Sequence, residues 1–112
     1  MAEAGLGWLP YFVNRAEAAF RKRAFTARDF QPQVAPLELF SNQVYVTFEE
    51  EVNGAAYIDM LGAGSFMWAS DYPHGDSTFP ESRHAIAESF GGLSEADCRR
   101  ITADNCLELY GF

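Results

Sequence analysis

The sequence predicts an α/β fold containing a pair of parallel strands, and three observations predict it. Phe66-Met67-Trp68-Ala69-Ser70 is an apolar run closed by a small pair. Such a run reads as a strand buried on both faces, the kind found in parallel sheets. Val44 to Phe48 is a second run of β-branched and aromatic residues, the composition of a strand. Between the two lies a short helical pattern, Ala55 to Leu61, closed by Gly62 and Gly64. Strands separated by a helix favour a parallel pairing.

The remaining elements follow in order. Glu3 to Trp8 reads as a loop with two glycines. Pro10 suits the first turn of a helix, and Phe12, Val13, Ala16 and Phe20 recur at helical spacing to about Arg23. Thr26 to Ala35, with Pro32, reads as a loop, and Pro36 opens a turn of helix over Leu37 to Phe40. Glu81 to Phe90 is helical, with Ile86 and Phe90 on one face and Gly91-Gly92 at its end. Ser94, with Asp97 three residues on, caps the next helix. Asp104 to Tyr110 is a final helical segment stopped by Gly111. Four or five helices and two strands result. No repeat, low-complexity tract or linker marks a domain boundary.

Composition excludes several function classes. Hydrophobic residues at 48% and aromatics at 15% are too abundant for a disordered chain. A net charge of −8, from eight basic against sixteen acidic residues, argues against nonspecific nucleic-acid binding, which relies on cations neutralising phosphate. The one basic cluster, Arg21-Lys22-Arg23, reads as a solvated helix end. No run approaches a membrane span, and Met1-Ala2-Glu3-Ala4 is no signal-peptide start. Cys98 and Cys106 match no common zinc spacing and are expected to be reduced thiols. The cytoplasm is the expected compartment.

The residues that could carry chemistry gather after the second strand. Asp71 is expected at that strand's C-terminal end, where α/β barrels place their catalytic groups. Pro73 disfavours helical backbone at Tyr72, so an acid at a turn is followed by an imidazole, His74, three residues on. Asp71, His74 and Asp76 by themselves are not a metal site, because adjacent side chains on one turn rarely give three ligands to one ion. Glu49-Glu50-Glu51 reads as a solvated acidic turn leaving the first strand, and His84 as an exposed helix residue.

Three segments in order carry a family resemblance. Phe66 to His74, continued by Asp76-Ser77-Thr78-Phe79-Pro80 and closed by Asp104 to Phe112, resembles the C-terminal end of the amidohydrolase-related metal-dependent hydrolases. That family also holds non-oxidative decarboxylases similar to aminocarboxymuconate semialdehyde decarboxylase. Ala2 to Pro10 resembles the segment after barrel strand six, and Gln43 to Glu49 resembles strand seven with its exit. The resemblance implies that residues 1–112 form a partial domain, the last quarter to third of a (β/α)8 barrel. Such barrels take about 250 residues, and this chain has 112. The family's His-x-His pair and its strand-five His have no counterpart, since only His74 and His84 are present.

By the same resemblance, Asp71 corresponds to the strand-eight aspartate that binds or adjoins a divalent metal, zinc or manganese, and exchanges protons. His74, Glu3 and Trp8 would line the substrate pocket, although residue packing offers an alternative for Trp8 against the first helix. Asn105 and Tyr110 belong to the terminal signature and read as structural. The implied reaction is hydrolysis of a small cyclic or carboxylated organic molecule, or its decarboxylation. A non-catalytic remnant or interaction module is a third possibility. Homodimerisation, or association through exposed barrel surface, is implied as well. With the other ligands missing, this chain alone is not expected to retain the metal or to be active.

Overall fold

The computed structural model describes residues 1–22 and 33–112. Its two strands, β1 (Val46–Phe48) and β2 (Phe66–Trp68), are parallel, with Val46 opposite Phe66, Thr47 opposite Met67 and Phe48 opposite Trp68. The ladder continues one residue further, where Ala69 N–H donates to Phe48 O at 2.9 Å. β1 is shorter than its apolar run because the preceding helix claims Val44, whose N–H bonds Phe40 O. On the free edge of β1 lies the N-terminal segment. Met1 O accepts from Thr47 N–H at 2.9 Å, and Glu3 N–H donates to Thr47 Oγ1 at 2.8 Å. A segment that reads as loop is thereby fixed against the sheet.

Helices cover one face of the sheet. α1 (Leu9–Arg21) carries Pro10 in its first turn, and α2 (Pro36–Gln43) starts at Pro36 and extends a full turn beyond the predicted Phe40. Arg23, the end expected for the first helix, and residues 26–32 of the expected loop lie outside the described residues. α3 (Gly54–Leu61) connects the strands and ends at Gly62, followed by a short 3-10 turn, Ala63–Ser65. α4 (Ser82–Phe90) stops before Gly91-Gly92.

The last two predicted helices are one run. α5 (Glu95–Arg99) passes through a π-helical turn, Arg100–Asp104, into α6 (Asn105–Tyr110). Ser94 Oγ accepts from Asp97 N–H at 3.1 Å and satisfies an orphan donor of the first turn. At the other end Gly111 adopts a left-handed φ of 73°, and its N–H bonds Leu107 O, the conformation that glycine takes at no steric cost. Counted as one continuous helix, this run brings the total among the described residues to five, within the four or five predicted.

The core lies between the helices and the sheet. Leu6, Leu9, Val46, Ile58, Phe66 and Ile101 are essentially inaccessible. An aromatic chain links the layers: Phe40 to Phe66 at 6.3 Å, Phe66 to Phe48 at 6.5 Å, and Phe48 to Phe90 at 5.5 Å between ring centroids. Phe66 and Met67 point to opposite faces of the strand, and both are buried. The doubly buried strand read from the sequence is therefore present. Asn105, fully buried, donates through Nδ2 to Ala63 O and Phe66 O at 2.7 Å each, tying the last helix to the entrance of β2. No helix among the described residues is long and apolar enough to cross a membrane.

Candidate active site

The site begins where the ladder ends. After Ala69 the chain leaves β2 and Asp71 takes a left-handed φ of 56°, a region that Asp tolerates better than most residues. The following turn is closed by His74 N–H on Asp71 O at 3.0 Å. Ser70 then acts as a hub. Its carbonyl accepts from Ser77 Oγ at 2.7 Å and from Thr78 N–H at 3.1 Å. These bonds hold residues 70–78 as a closed loop, so the Asp71 carboxyl is presented from a fixed backbone. Its side chain is 15% exposed.

His74 and Asp71 form a pair. The imidazole Nδ1 lies 2.9 Å from one carboxylate oxygen and 3.1 Å from the other. The hydrogen bond to Asp71 raises the His74 pKa above its ordinary value; the Asp71 charge adds to this, and desolvation partly opposes it. The His74 side chain is 64% exposed, so the pair sits at a rim. Glu3, also at a left-handed φ of 51°, approaches from the N-terminal segment. One ligand atom from each of Glu3, Asp71 and His74 lies within 4.8 Å of the others. Sequence spacing could not bring Glu3 to this place, since it depends on the segment docking on β1.

A cleft of about 420 Å³ opens beside these groups. Glu3, Asp71, Thr47, Ser70, Tyr72 and Glu49 are among the residues lining it. Of the expected pocket residues, His74 and Trp8 are not among them: His74 stands at the rim through its pairing with Asp71, and the Trp8 indole donates to Ala4 O at 3.0 Å and meets Phe12 edge-on at 5.6 Å. His84 stands on the exposed face of α4, 3.4 Å from Glu88.

The acidic turn after β1 is the largest departure from expectation. Only Glu50 of the three is fully solvated. Glu51 Oε1 accepts from Leu6 N–H, and Gly5, at φ 60°, permits this approach, because a Cβ there would stand 2.9 Å from that oxygen. Glu49 lines the cleft, and its Oε2 is sealed from solvent with no hydrogen-bond partner among the described residues. Burial pushes the Glu49 carboxyl above its ordinary pKa, and the negative charges of Asp71, Asp76, Glu50 and Glu3 push the same way. The signal for Glu49 was available: it follows β1 directly, and Asp71 lies three residues past the end of β2.

No protein-family model and no curated relative matches the sequence. Solved structures do match. The chain superposes on a dihydroxybenzoic acid decarboxylase from Polaromonas sp. JS666 with a TM-score of 0.66 and 19% identity, covering 93% of this chain and 31% of that one. That enzyme was crystallised with manganese and an inhibitor, 2-nitroresorcinol. A 5-carboxyvanillate decarboxylase from Sphingomonas paucimobilis matches with a TM-score of 0.72 and 18% identity, over 94% of this chain and 31% of that one. An amidohydrolase from Mycobacterium avium subsp. paratuberculosis K-10 matches with 0.67 and 29%, over 91% and 26%. The fold is that of the C-terminal part of an amidohydrolase barrel.

The chain thus spans about a third or less of the length of the amidohydrolase-type barrels it resembles. In an amidohydrolase-type barrel the ends of β1 and β2 belong to the face where catalytic groups are placed. The donor set at that end also suits a divalent cation. Two carboxylates and an imidazole are hard to borderline ligands, and three protein ligands leave coordination positions open, as catalytic sites do. The absence of a cationic side chain among the described lining residues fits a cleft that receives positive charge.

Proposed function

We propose that this cleft is the strand-end site of a divalent-metal-dependent hydrolase acting on a small cyclic or carboxylated organic molecule. The convergence of Glu3, Asp71 and His74 beside a cleft at the C-terminal strand ends carries the reading. These three residues would hold the cation, with zinc and manganese as the candidates. When bound, it supplies Lewis acidity and makes a water molecule acidic enough to attack near neutral pH.

The side chains divide the remaining work. Asp71 takes the proton of the attacking water, because its carboxyl is fixed at the cleft by the loop through Ser70. His74 orients that carboxyl through Nδ1. The acidic walls select for the reacting group. A neutral amide or ester meets no repulsion there, whereas a substrate carboxylate would depend on the cation, since no cationic side chain is among the described lining residues. This favours hydrolysis. Decarboxylation is the second reading, supported by two of the three similar barrels being decarboxylases; Asp71 would then protonate the carbon that loses carbon dioxide. Exposed apolar groups such as Tyr11, Met60 and Val52 would favour association with a second chain.

Titration of the chain with Mn²⁺ and Zn²⁺ tests the reading. The sequence alone implied that this chain would not retain the metal; the convergence of Glu3 with Asp71 and His74 makes binding at about micromolar affinity or tighter, lost in Asp71→Ala, the expected result. No binding by the unaltered chain would leave a non-catalytic module. With the loaded chain, turnover of neutral lactones and amides would establish hydrolysis. Release of carbon dioxide from ring carboxylates would instead establish decarboxylation.

A further inference from the structure

We propose that Glu49 is the proton donor of this cleft. The inference rests on the hydrolytic reading above and adds the group that protonates what leaves. Glu49 directly follows β1, and its backbone is fixed from both sides. Ala69 N–H bonds the carbonyl of Phe48, and Trp68 Nε1 donates to the carbonyl of Glu49 itself at 2.8 Å. The side chain is therefore delivered to the cleft from the strand next to the one that delivers Asp71.

The two carboxyls have unlike surroundings. Asp71 has His74 on both oxygens. Glu49 has one oxygen out of reach of solvent and unpartnered among the described residues. An ionised carboxylate is disfavoured with one oxygen so placed, and the neutral acid reduces that cost. The charged groups that act on it, Asp71, Asp76, Glu50 and Glu3, are all acidic and favour the protonated form in the metal-free chain; a cation held by Asp71 and Glu3 would offset their share, so burial, the largest cause, carries the assignment. Glu49 also lies outside the trio whose ligand atoms converge, so it is not needed as a ligand. Paired carboxyls in contrasting environments are how acid and base roles are divided at one pH.

The step balances as follows. Water adds its oxygen to the acyl carbon and gives a proton to Asp71. The acyl–nitrogen or acyl–oxygen bond breaks with its electron pair on the leaving atom. That atom takes the proton from Glu49 Oε1, the oxygen that is not sealed, and exchange with solvent returns Asp71 to its carboxylate and Glu49 to its acid.

Glu49→Gln, nearly isosteric and unable to donate a carboxyl proton, is the test variant in the full chain. Mn²⁺ affinity should stay within about threefold, while Asp71→Ala loses it. A loss of about tenfold or more would make Glu49 a ligand and overturn the proposal. If the unaltered chain binds no Mn²⁺, the hydrolase reading fails separately, and the second measurement still decides Glu49. That measurement is carboxyl ¹³C NMR of chain labelled at glutamate, with and without Zn²⁺. One signal, absent in Glu49→Gln and retained in Glu49→Asp labelled at aspartate, should remain in the acid form above the pH at which the other glutamates ionise. A Glu49 that ionises with the rest overturns the assignment.

Discussion

At the entrance to β2, Asn105 bonds two backbone carbonyls, and Phe66 meets Phe40 and Phe48 in an aromatic chain that continues through Phe48 to Phe90. At the exit, the chain holds two non-glycine residues at left-handed φ, Glu3 and Asp71, and an unpartnered carboxyl oxygen on Glu49. It also leaves an aromatic pair in solvent, Tyr72 at 67% and Phe79 at 60% exposure. The two ends are separated by a strand of only three residues. Departures from local rules of stability gather at the exit, although at the entrance Asn105 Oδ1 is also buried with no hydrogen-bond partner among the described residues. Such violations persist only where surrounding structure over-determines them, and they concentrate at functional sites. Here the determining structure is the loop through Ser70 and the N-terminal segment on β1.

The sharpest way to break this comparison is to remove a core ring. Phe66→Ala should cost about 3–5 kcal/mol, the range for deleting a buried phenylalanine, and in a chain of this size could abolish folding. At the rim, Glu3→Gln should stay within about 0.5 kcal/mol, because Glu3 is held by its backbone N–H rather than its carboxyl. Urea denaturation of both variants measures the difference. Equal losses would mean that the rim is part of the stabilising core.

Asn105→Ala should come next, at about 2–3 kcal/mol, because it removes the donor from two carbonyls in a buried site. Its effect should appear as early loss of α6 in hydrogen exchange, while the cation affinity of the strand exit stays unchanged. A variant that loses both together would show that the two ends are mechanically coupled. Ser94→Ala should cost about 1 kcal/mol, the usual value of a lost N-cap, and should shift the thermal midpoint alone.

The sequence made the lower half of this molecule legible and the upper half only in part. Apolar periodicity, glycine stops and the Ser94 cap located five helices and both strands, since those signals are local. The π-helical turn joining α5 to α6 was not visible, because nothing in Arg100–Asp104 departs from an ordinary helix in composition. At the exit, Asp71 was found from its position after a doubly buried strand. Its union with Glu3 depends on a contact 68 residues distant in sequence, through a segment whose pairing with β1 has no periodic signature. Glu49 was missed because a run of three acids usually means solvent. The same strand-exit argument used for Asp71 would have singled it out.

The smallest expected effect concerns charge at the rim. His74 has its pKa raised by Asp71 in the folded chain. A histidine raised on folding contributes stability that is fully present below its unfolded value, about 6.5, and is lost as pH rises through the folded value. Because His74 is mostly exposed, solvent screens the pair and its effect on stability is slight. Proton NMR of the imidazole is the more sensitive measurement. Asp71→Asn should bring the His74 titration down toward the ordinary value, since the carboxylate charge and the charge-assisted bond go together. Cation affinity should rise with pH through the same window, as the proton leaves a candidate ligand, and His74→Gln should flatten that rise. A His74 titration indifferent to Asp71→Asn would mean that the pair does not persist in solution. The strand exit would then be an acidic cleft whose carboxyls are oriented by the backbone alone.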